Sequence, residues 1–231
     1  MKTIAIITAR GGSKRIPGKN IREFCGKPII SYSIRAALKS RLFDTVMVST
    51  DDERIAEISR QFGAEVPFMR SEKTSDDFST TEEVLLEVLK KYDERSQRFD
   101  LACCIYPTAP FITEKRLREA YALISEGGCN AVFPVVPFSF PPQRGLFEDD
   151  GFVHPTSPGD YMKRSQDLKP VYHDSGQFYF FRVDSFRETG STVDHAKPLI
   201  ISEMEVQDID TLTDWKLAEM KYSLLHQEAE Q

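Results

Sequence analysis

A six-residue apolar run at the start of the chain, Thr3–Thr8 (TIAIIT), passes without a spacer into Ala9–Asn20 (ARGGSKRIPGKN). The run is too short for a helix and rich in β-branched residues, so it reads as a strand buried on both faces. The segment after it holds Arg10, Lys14, Arg15 and Lys19 with Gly11, Gly12 and Gly18, and no acid, in a chain of net charge −6. A cationic, glycine-rich loop at the carboxyl end of a buried strand has the makings of an anion site. Glycines such as Gly11 and Gly12 let the backbone and its N–H groups approach phosphate oxygens, with Ser13 beside them. Arg10, Lys14 and Lys19 add charge where a pyrophosphate or triphosphate must be held. Open α/β sheets bind ligands at such strand ends. The loop fits neither common nucleotide motif. Ser13 stands where a Walker loop has its first Gly, Asn20 stands where it has its hydroxyl, and Gly11-Gly12-Ser13 fails the dinucleotide spacing. A plain basic surface loop, or a glycine turn of geometric use only, is the alternative.

Strand-like and helix-like segments alternate along the rest of the chain. Pro28–Ser40 reads as a helix, with Pro28 in its first turn. Thr45–Ser49 reads as a strand, followed by Asp51, Asp52 and a helix through Phe62 that stops at Gly63. Val66–Met69 is strand-like. Thr80 and Glu83 form a capping-box signal ahead of Val84, Leu85, Val88, Leu89 and Tyr92 on one helical face. Leu101–Tyr106 is a strand, and Leu117, Ala120, Tyr121 and Ile124 mark a helix before the strand Ala131–Val136. This rhythm predicts an α/β fold with a mostly parallel sheet and helices on both faces. It breaks at Pro137. Phe138–Tyr172 is rich in Pro, Gly and polar residues and reads as an excursion, a lid or dimerisation arm, with disorder as the competing explanation. Gly176–Arg182 and Pro198–Ser202 are strands, and a last helix from about Thr211 carries Leu212, Trp215, Tyr222 and Leu225.

The 231 residues suit one domain, 1–231, with 138–172 as an excursion within it. The acidic balance argues against a nucleic-acid surface. No apolar run approaches 18 residues and no signal-peptide pattern begins at Met1, which places the chain in the cytoplasm and off the membrane. Cys25, Cys103, Cys104 and Cys129 form no C-x-x-C pair and read as buried free thiols. On a strand, Cys103 and Cys104 point to opposite faces.

Gln207-Asp208-Ile209-Asp210 is the second chemical signal. At strand geometry Asp208 and Asp210 face one way, with Cα atoms roughly 7 Å apart. Two hard oxygen ligands suit Mg²⁺, which would bridge them to an anion held by the first loop. The alternative is that Asp210 or Thr211 only caps the last helix. Arg70 opens a polar stretch through Asp76, Asp77, Ser79 and Thr81, whose groups suit a base edge or a plain surface loop. Tyr106-Pro-Thr-Ala-Pro-Phe111 directs side chains from a strand end or makes a rigid turn. Lys163–Asp167 is a charge cluster in the excursion. His154, His173, His195 and His226 show no nucleophile–base spacing.

The loop Ala9–Asn20 resembles the signature A-R-x-x-S-K-x-x-P-x-K-N of the CMP-sialic acid synthetase family, cytidylyltransferases that act on nonulosonic acids. The resemblance extends through Arg70 with Asp77, Pro107-Thr108-Ala109-Pro110, Arg164–Leu168, Ser175-Gly176 and Asp208-Ile209-Asp210. It implies a Rossmann-like, glycosyltransferase-A-like nucleotidyltransferase fold. It also implies CTP, Mg²⁺ and a homodimer in which the excursion crosses to the partner. Carried over, Arg10, Gly11, Gly12, Ser13, Lys14 and Lys19 hold the triphosphate. Asn20, Arg70, Asp77, Ser79 and Thr81 surround cytosine and ribose. Asp208 and Asp210 bind the metal. Tyr106, Thr108, Arg164, Gln166, Ser175, Gln177 and Tyr179 form the sugar side, Arg164 by reaching a partner's site. Arg10, Lys19, Asp208 and Asp210 form the catalytic set. Tyr106, Ala109, Ile112 and Ser175 depart from the Gln, Ser, Arg and Asn usual in enzymes for sialic acid. The resemblance points to pseudaminic acid, with N-acetylneuraminic or legionaminic acid as alternatives. From another class, a non-catalytic nucleotide-binding regulator would keep the fold.

Overall fold

A computed structural model describes residues 1–227. Strand β1 covers Thr3–Thr8, and Ile4–Ile7 are fully buried, as an apolar strand inside a sheet must be. After the cationic loop, β2 (Glu23–Phe24) and β3 (Lys27–Pro28) form a two-residue hairpin. Its turn residues Cys25 (φ +44°) and Gly26 (φ +83°) both take left-handed backbone. Cys25 is therefore exposed at a turn rather than buried, while Cys103, Cys104 and Cys129 are buried. Because Pro28 is taken up by β3, helix α1 starts later than the Pro28 signal suggests and covers Ile30–Ser40.

The alternation continues as predicted through β4 (Thr45–Ser49) and α2 (Glu53–Gln61). The Asp52 carboxylate caps α2 by accepting the N–H of Arg54 at 2.7 Å. Val66–Met69 is not a strand; only Glu65 bridges to Met47 beside it. Helix α3 (Thr81–Asp93) opens with the Thr80–Glu83 capping box. Strand β5 (Leu101–Ile105), α4 (Glu114–Ser125) and β6 (Ala131–Pro137) follow. The excursion then forms a hairpin, β7 (Leu146–Asp149) and β8 (Phe152–Pro155), and a short helix α5 (Pro158–Tyr161). The chain returns through β9 (Tyr172–Asp174), β10 (Phe178–Arg182), α6 (Val183–Thr189), β11 (Ala196–Ile200) and α7 (Leu212–Gln227).

The main sheet has the order β11-β6-β10-β5-β1-β4, with β9 also paired to β6. Strand β1 is parallel to both β4 and β5, and β11 is parallel to β6. Strand β10 runs antiparallel between β5 and β6. The pleat sorts side chains into two layers. Ala5, Ile7 and Cys103 pack with Ile34 and Ala37 of α1 and Leu117 of α4. Ile4, Ile6 and Cys104 pack with Leu85 and Val88 of α3 and Phe186 of α6. Helices thus cover both faces. A third cluster lies beside the sheet and joins Ile16 of the opening loop, Phe24, Ile29, Phe111, Ile209 and Trp215. Phe24 meets Trp215 edge-on with ring centroids 5.7 Å apart. This cluster ties the first loop to the segment carrying Asp208 and Asp210, although about 190 residues separate them.

Candidate active site

The opening loop leaves the sheet where the Ala9 N–H bonds the Ser49 carbonyl at 2.9 Å. Gly11 follows at a point of close approach. Its N–H donates to the Asp51 carboxylate at 2.9 Å, and a Cβ there would lie 2.9 Å from Cβ of Asp52. Only glycine fits against the α2 cap. Gly12 has open space around it. Gly18 takes φ +64° and turns the chain into a 3₁₀ turn at Lys19–Ile21. Asn20, buried in that turn, donates its amide to the Arg10 carbonyl at 2.8 Å. Asn20 thereby fixes the shape of the loop that presents Arg10.

Two acidic segments face the loop cations. On one side, Asp77 pairs with Arg10 at 2.9 Å and with Lys14. The Lys14 ammonium, joined by Arg10, holds the Asp77 carboxyl below its ordinary range. Arg10 also donates to the Asp76 carbonyl at 2.7 Å. Asp76 in turn accepts from the Ser79 hydroxyl at 2.6 Å and from the backbone of Phe78 and Ser79. On the other side, Asp210 pairs with Arg15 at 2.6 Å and stands 3.7 Å from the Lys19 ammonium. Lys19 also donates to the Ile209 carbonyl. The segment Val206–Asp210 belongs to no strand. Ile209 is buried between an exposed Asp208 and a half-buried Asp210, so the alternation expected of a strand persists without sheet pairing. The cap of α7 is Thr211, not Asp210. The Thr211 hydroxyl accepts the Asp214 N–H, and Asp214 accepts the N–H of Thr211 at 2.7 Å.

A cavity of about 330 Å³ is bounded by Arg10, Arg70, Thr74, Asp77, Ser79, Thr81, Tyr106 and Thr108, among others. A second, of about 420 Å³, is bounded by Arg10, Ser13, Lys14, Arg15, Lys19 and Asn20. They share Thr8, Arg10 and Pro107, so they abut along Arg10 at the strand ends. Arg70 is anchored by bonds to the Ser49 carbonyl at 2.7 Å and hydroxyl at 3.1 Å. Burial lowers its pKa. A larger cavity, about 620 Å³, lies on the far side of Phe111 against Tyr32, Arg35 and Tyr222. None of the residues expected to hold CTP, the metal or the sugar bounds it, although Pro110, Phe111 and Ile112 of the strand-end turn and His226 do. Sequence reasoning missed Arg15, Asp51, Thr74 and Thr80 as parts of the site. For Arg15 the signal was present, since it belongs to the same cationic run.

On the sugar side, the Tyr106 ring lies 5.6 Å from that of Tyr179. The Tyr179 hydroxyl donates to the Asp174 carboxylate at 2.9 Å. Burial pushes both phenols up. Gln177 is buried and donates its amide to the Glu205 carbonyl at 2.5 Å, and Ser175 is buried beside it. Arg164 and Gln166 are exposed in the excursion, and neither lines the two abutting cavities.

Among the described residues no three His, Cys, Asp or Glu side chains cluster as metal ligands. Asp208 and Asp210, flanking an anchored Ile209, nevertheless fit Mg²⁺, which takes one or two carboxylates and fills its shell with phosphate oxygens and water. No described helix is long and apolar enough to cross a membrane.

The cytidylyltransferase family model matches residues 4–200. A pseudaminic acid cytidylyltransferase of Campylobacter jejuni is 38% identical over 231 residues, covering 99% of this chain and 100% of the relative. A CMP-N,N′-diacetyllegionaminic acid synthase of Legionella pneumophila is 35% identical over 239 residues, covering 99% of each. Among solved structures, a CMP:2-keto-3-deoxy-manno-octonic acid synthetase complexed with CTP shares the fold. Its TM-score is 0.72 at 19% identity, over 99% of this chain and 100% of that one. The sheet with its strand-end groove, the full-length likeness and the match across most of the chain agree: this chain belongs to the cytidylyltransferase family of nucleotidyltransferase enzymes.

Proposed function

We propose that the protein transfers CMP from CTP to the C2 hydroxyl of a nine-carbon nonulosonic acid, pseudaminic acid, and releases pyrophosphate. The observation that carries this reading is the convergence of the loop Arg10–Asn20 with Asp210 beside a base-sized cavity. The relatives named for pseudaminic acid support the choice of sugar.

Cytosine and ribose enter the cavity at Arg70, Ser79 and Thr81. The triphosphate runs along Ser13, Lys14 and Lys19, where phosphate oxygens replace the Asp77 carboxylate as partners of Lys14 and Arg10. That exchange releases no buried charge, because both partners are already solvated. The sugar approaches from Tyr106 and Thr108. Its C2 oxygen bonds to the α-phosphorus, the bond from that phosphorus to the bridging oxygen breaks, and the hydroxyl proton passes to solvent. The protein contributes alignment and charge rather than covalent chemistry. Arg10 and Lys19 stabilise the departing pyrophosphate. Asp208 and Asp210 would hold a Mg²⁺ ion, which would neutralise charge at the phosphates.

We further propose a homodimer built on the excursion. Phe140, Leu146, Phe147, Phe152 and Val153 are all exposed there, with Leu146 and Val153 on one face of the hairpin and Phe147 and Phe152 on the other, so both apolar faces are open to a second copy. Across that contact Arg164 reaches the partner's groove. We place the reaction in the cytoplasm.

The test is pyrophosphate release from CTP and Mg²⁺ with pseudaminic, legionaminic and N-acetylneuraminic acids in turn. The expected result is turnover fastest with pseudaminic acid. Faster turnover with another acid overturns the sugar assignment. Release with none of them favours a nucleotide-binding regulator.

A further inference from the structure

The wall of the 330 Å³ cavity between Arg70 and Asp76 contains no regular strand or long helix. Besides the bonds of Arg70 to Ser49 and of Arg10 to Asp76, one carboxylate outside the cavity fastens it. Glu87, on the second turn of α3, accepts the Ser71 N–H at 2.9 Å, the Ser71 hydroxyl at 2.7 Å and the Thr74 hydroxyl. Lys91, one turn further, pairs with the same carboxylate at 2.6 Å and donates to the Met69 carbonyl at 2.8 Å. The Lys91 ammonium also lies 5.0 Å from the centre of the Phe68 ring. Backbone or side-chain groups of Phe68, Met69, Ser71 and Thr74 are thus fastened to one face of α3. Arg70 sits in the middle of that span, and Asp76 and Asp77, which pair with Arg10, begin directly after it.

Burial alone would raise the Glu87 carboxyl, but the Lys91 ammonium and the Thr74 and Ser71 donors outweigh it and bring it down to about 2. The group is a permanent anion at neutral pH, and its oxygens are filled by protein donors. Its side chain is 15% exposed, too enclosed for an ordinary surface ion pair. A helix-surface Glu–Lys pair needs none of the extra donors that converge here.

We infer that Glu87 is a positioning residue for the nucleotide: it clamps residues 71–74 so that Arg70, and Arg10 held at the Asp76 carbonyl, face the bound CTP. This rests on the nucleotide reading above. The clamp touches neither the reacting atoms nor the sugar side, so its loss should weaken nucleotide binding and leave the chemical step alone. Glu87→Gln keeps the shape but loses the charge, and Glu87→Ala removes the acceptor. The expected result is a CTP KM raised about tenfold in Glu87→Gln and further in Glu87→Ala, with kcat within about twofold and the sugar KM unchanged. Thr74→Val, which keeps the volume and removes the hydroxyl donor, should raise the CTP KM as Glu87→Gln does.

Amide hydrogen exchange of the nucleotide-free protein gives an independent arm, with faster exchange expected at 71–79 in Glu87→Ala and unchanged protection in β1 and β5. A lower melting temperature with the CTP KM unchanged would mean a helix brace only and would overturn the inference. Unchanged protection at 71–79 would also overturn it. Wild-type protein that releases no pyrophosphate from CTP would sink the nucleotide reading itself, and the exchange arm would still report on the clamp.

Discussion

Asp210 meets two cations of the opening loop, Arg15 at 2.6 Å and Lys19 at 3.7 Å. Its distance in sequence from them makes a chance surface pairing a poor explanation, because the buried Ile16–Ile209–Trp215 cluster brings the segments together. Asp210→Asn keeps the volume and removes the charge. We expect a loss of roughly 10³-fold in turnover, about 4 kcal/mol of barrier. Pyrophosphate release checks it, and near-normal turnover would rule out the metal role. Glu87 yields a prediction in pH. Its folded pKa, about 2, lies below its ordinary value of 4.5, so the clamp's stabilisation is fully present above about pH 4.5. It is lost as pH falls from there through about 2. Melting temperatures recorded across that range should drop less steeply in Glu87→Gln than in wild type; parallel curves would contradict the assignment.

Elements whose signals are local were legible in the sequence. The apolar run Thr3–Thr8 is a strand at those bounds because six residues are too few for a core helix while four consecutive apolar side chains are buried. The Thr80–Glu83 box opens α3 as read, since both of its bonds are made within one turn. Cys103 and Cys104 do fall in different layers of the core. Elements set by tertiary pairing were not legible. Pro28 looks like a first helical turn, yet the β2–β3 hairpin claims it. The pair Asp208 and Asp210 keeps strand-like alternation with no strand, because Ile209 is anchored by Phe24 and Trp215 rather than by a ladder. The clamp on residues 71–74 was invisible because Glu87 is one of several acids along an amphipathic helix. Thr80→Ala should remove the cap and cost about 1 kcal/mol. Thermal unfolding measures it, and an unchanged melting temperature would show that the box contributes nothing.

At the scale of the molecule, the sheet presents the ends of β1, β4 and β5 to one groove, and the exposed apolar side chains of the excursion line neither of its two cavities. Phe152, 70% exposed, is the clearest probe of that surface. Phe152→Asp should leave the fold intact and convert a dimer to a monomer by light scattering. It should also lower turnover if Arg164 acts across the contact. A wild-type protein that is monomeric at assay concentrations would remove the proposed dimer. The central claim is that one polyphosphate lies between the first loop and the late aspartates. A crystal structure with a non-hydrolysable CTP analogue and Mg²⁺ tests it most directly. It should show phosphate oxygens on Arg10, Lys14 and Lys19, the metal on Asp208 or Asp210, and the base against Arg70. A nucleotide bound elsewhere, or one whose phosphates point away from Asp210, would contradict it.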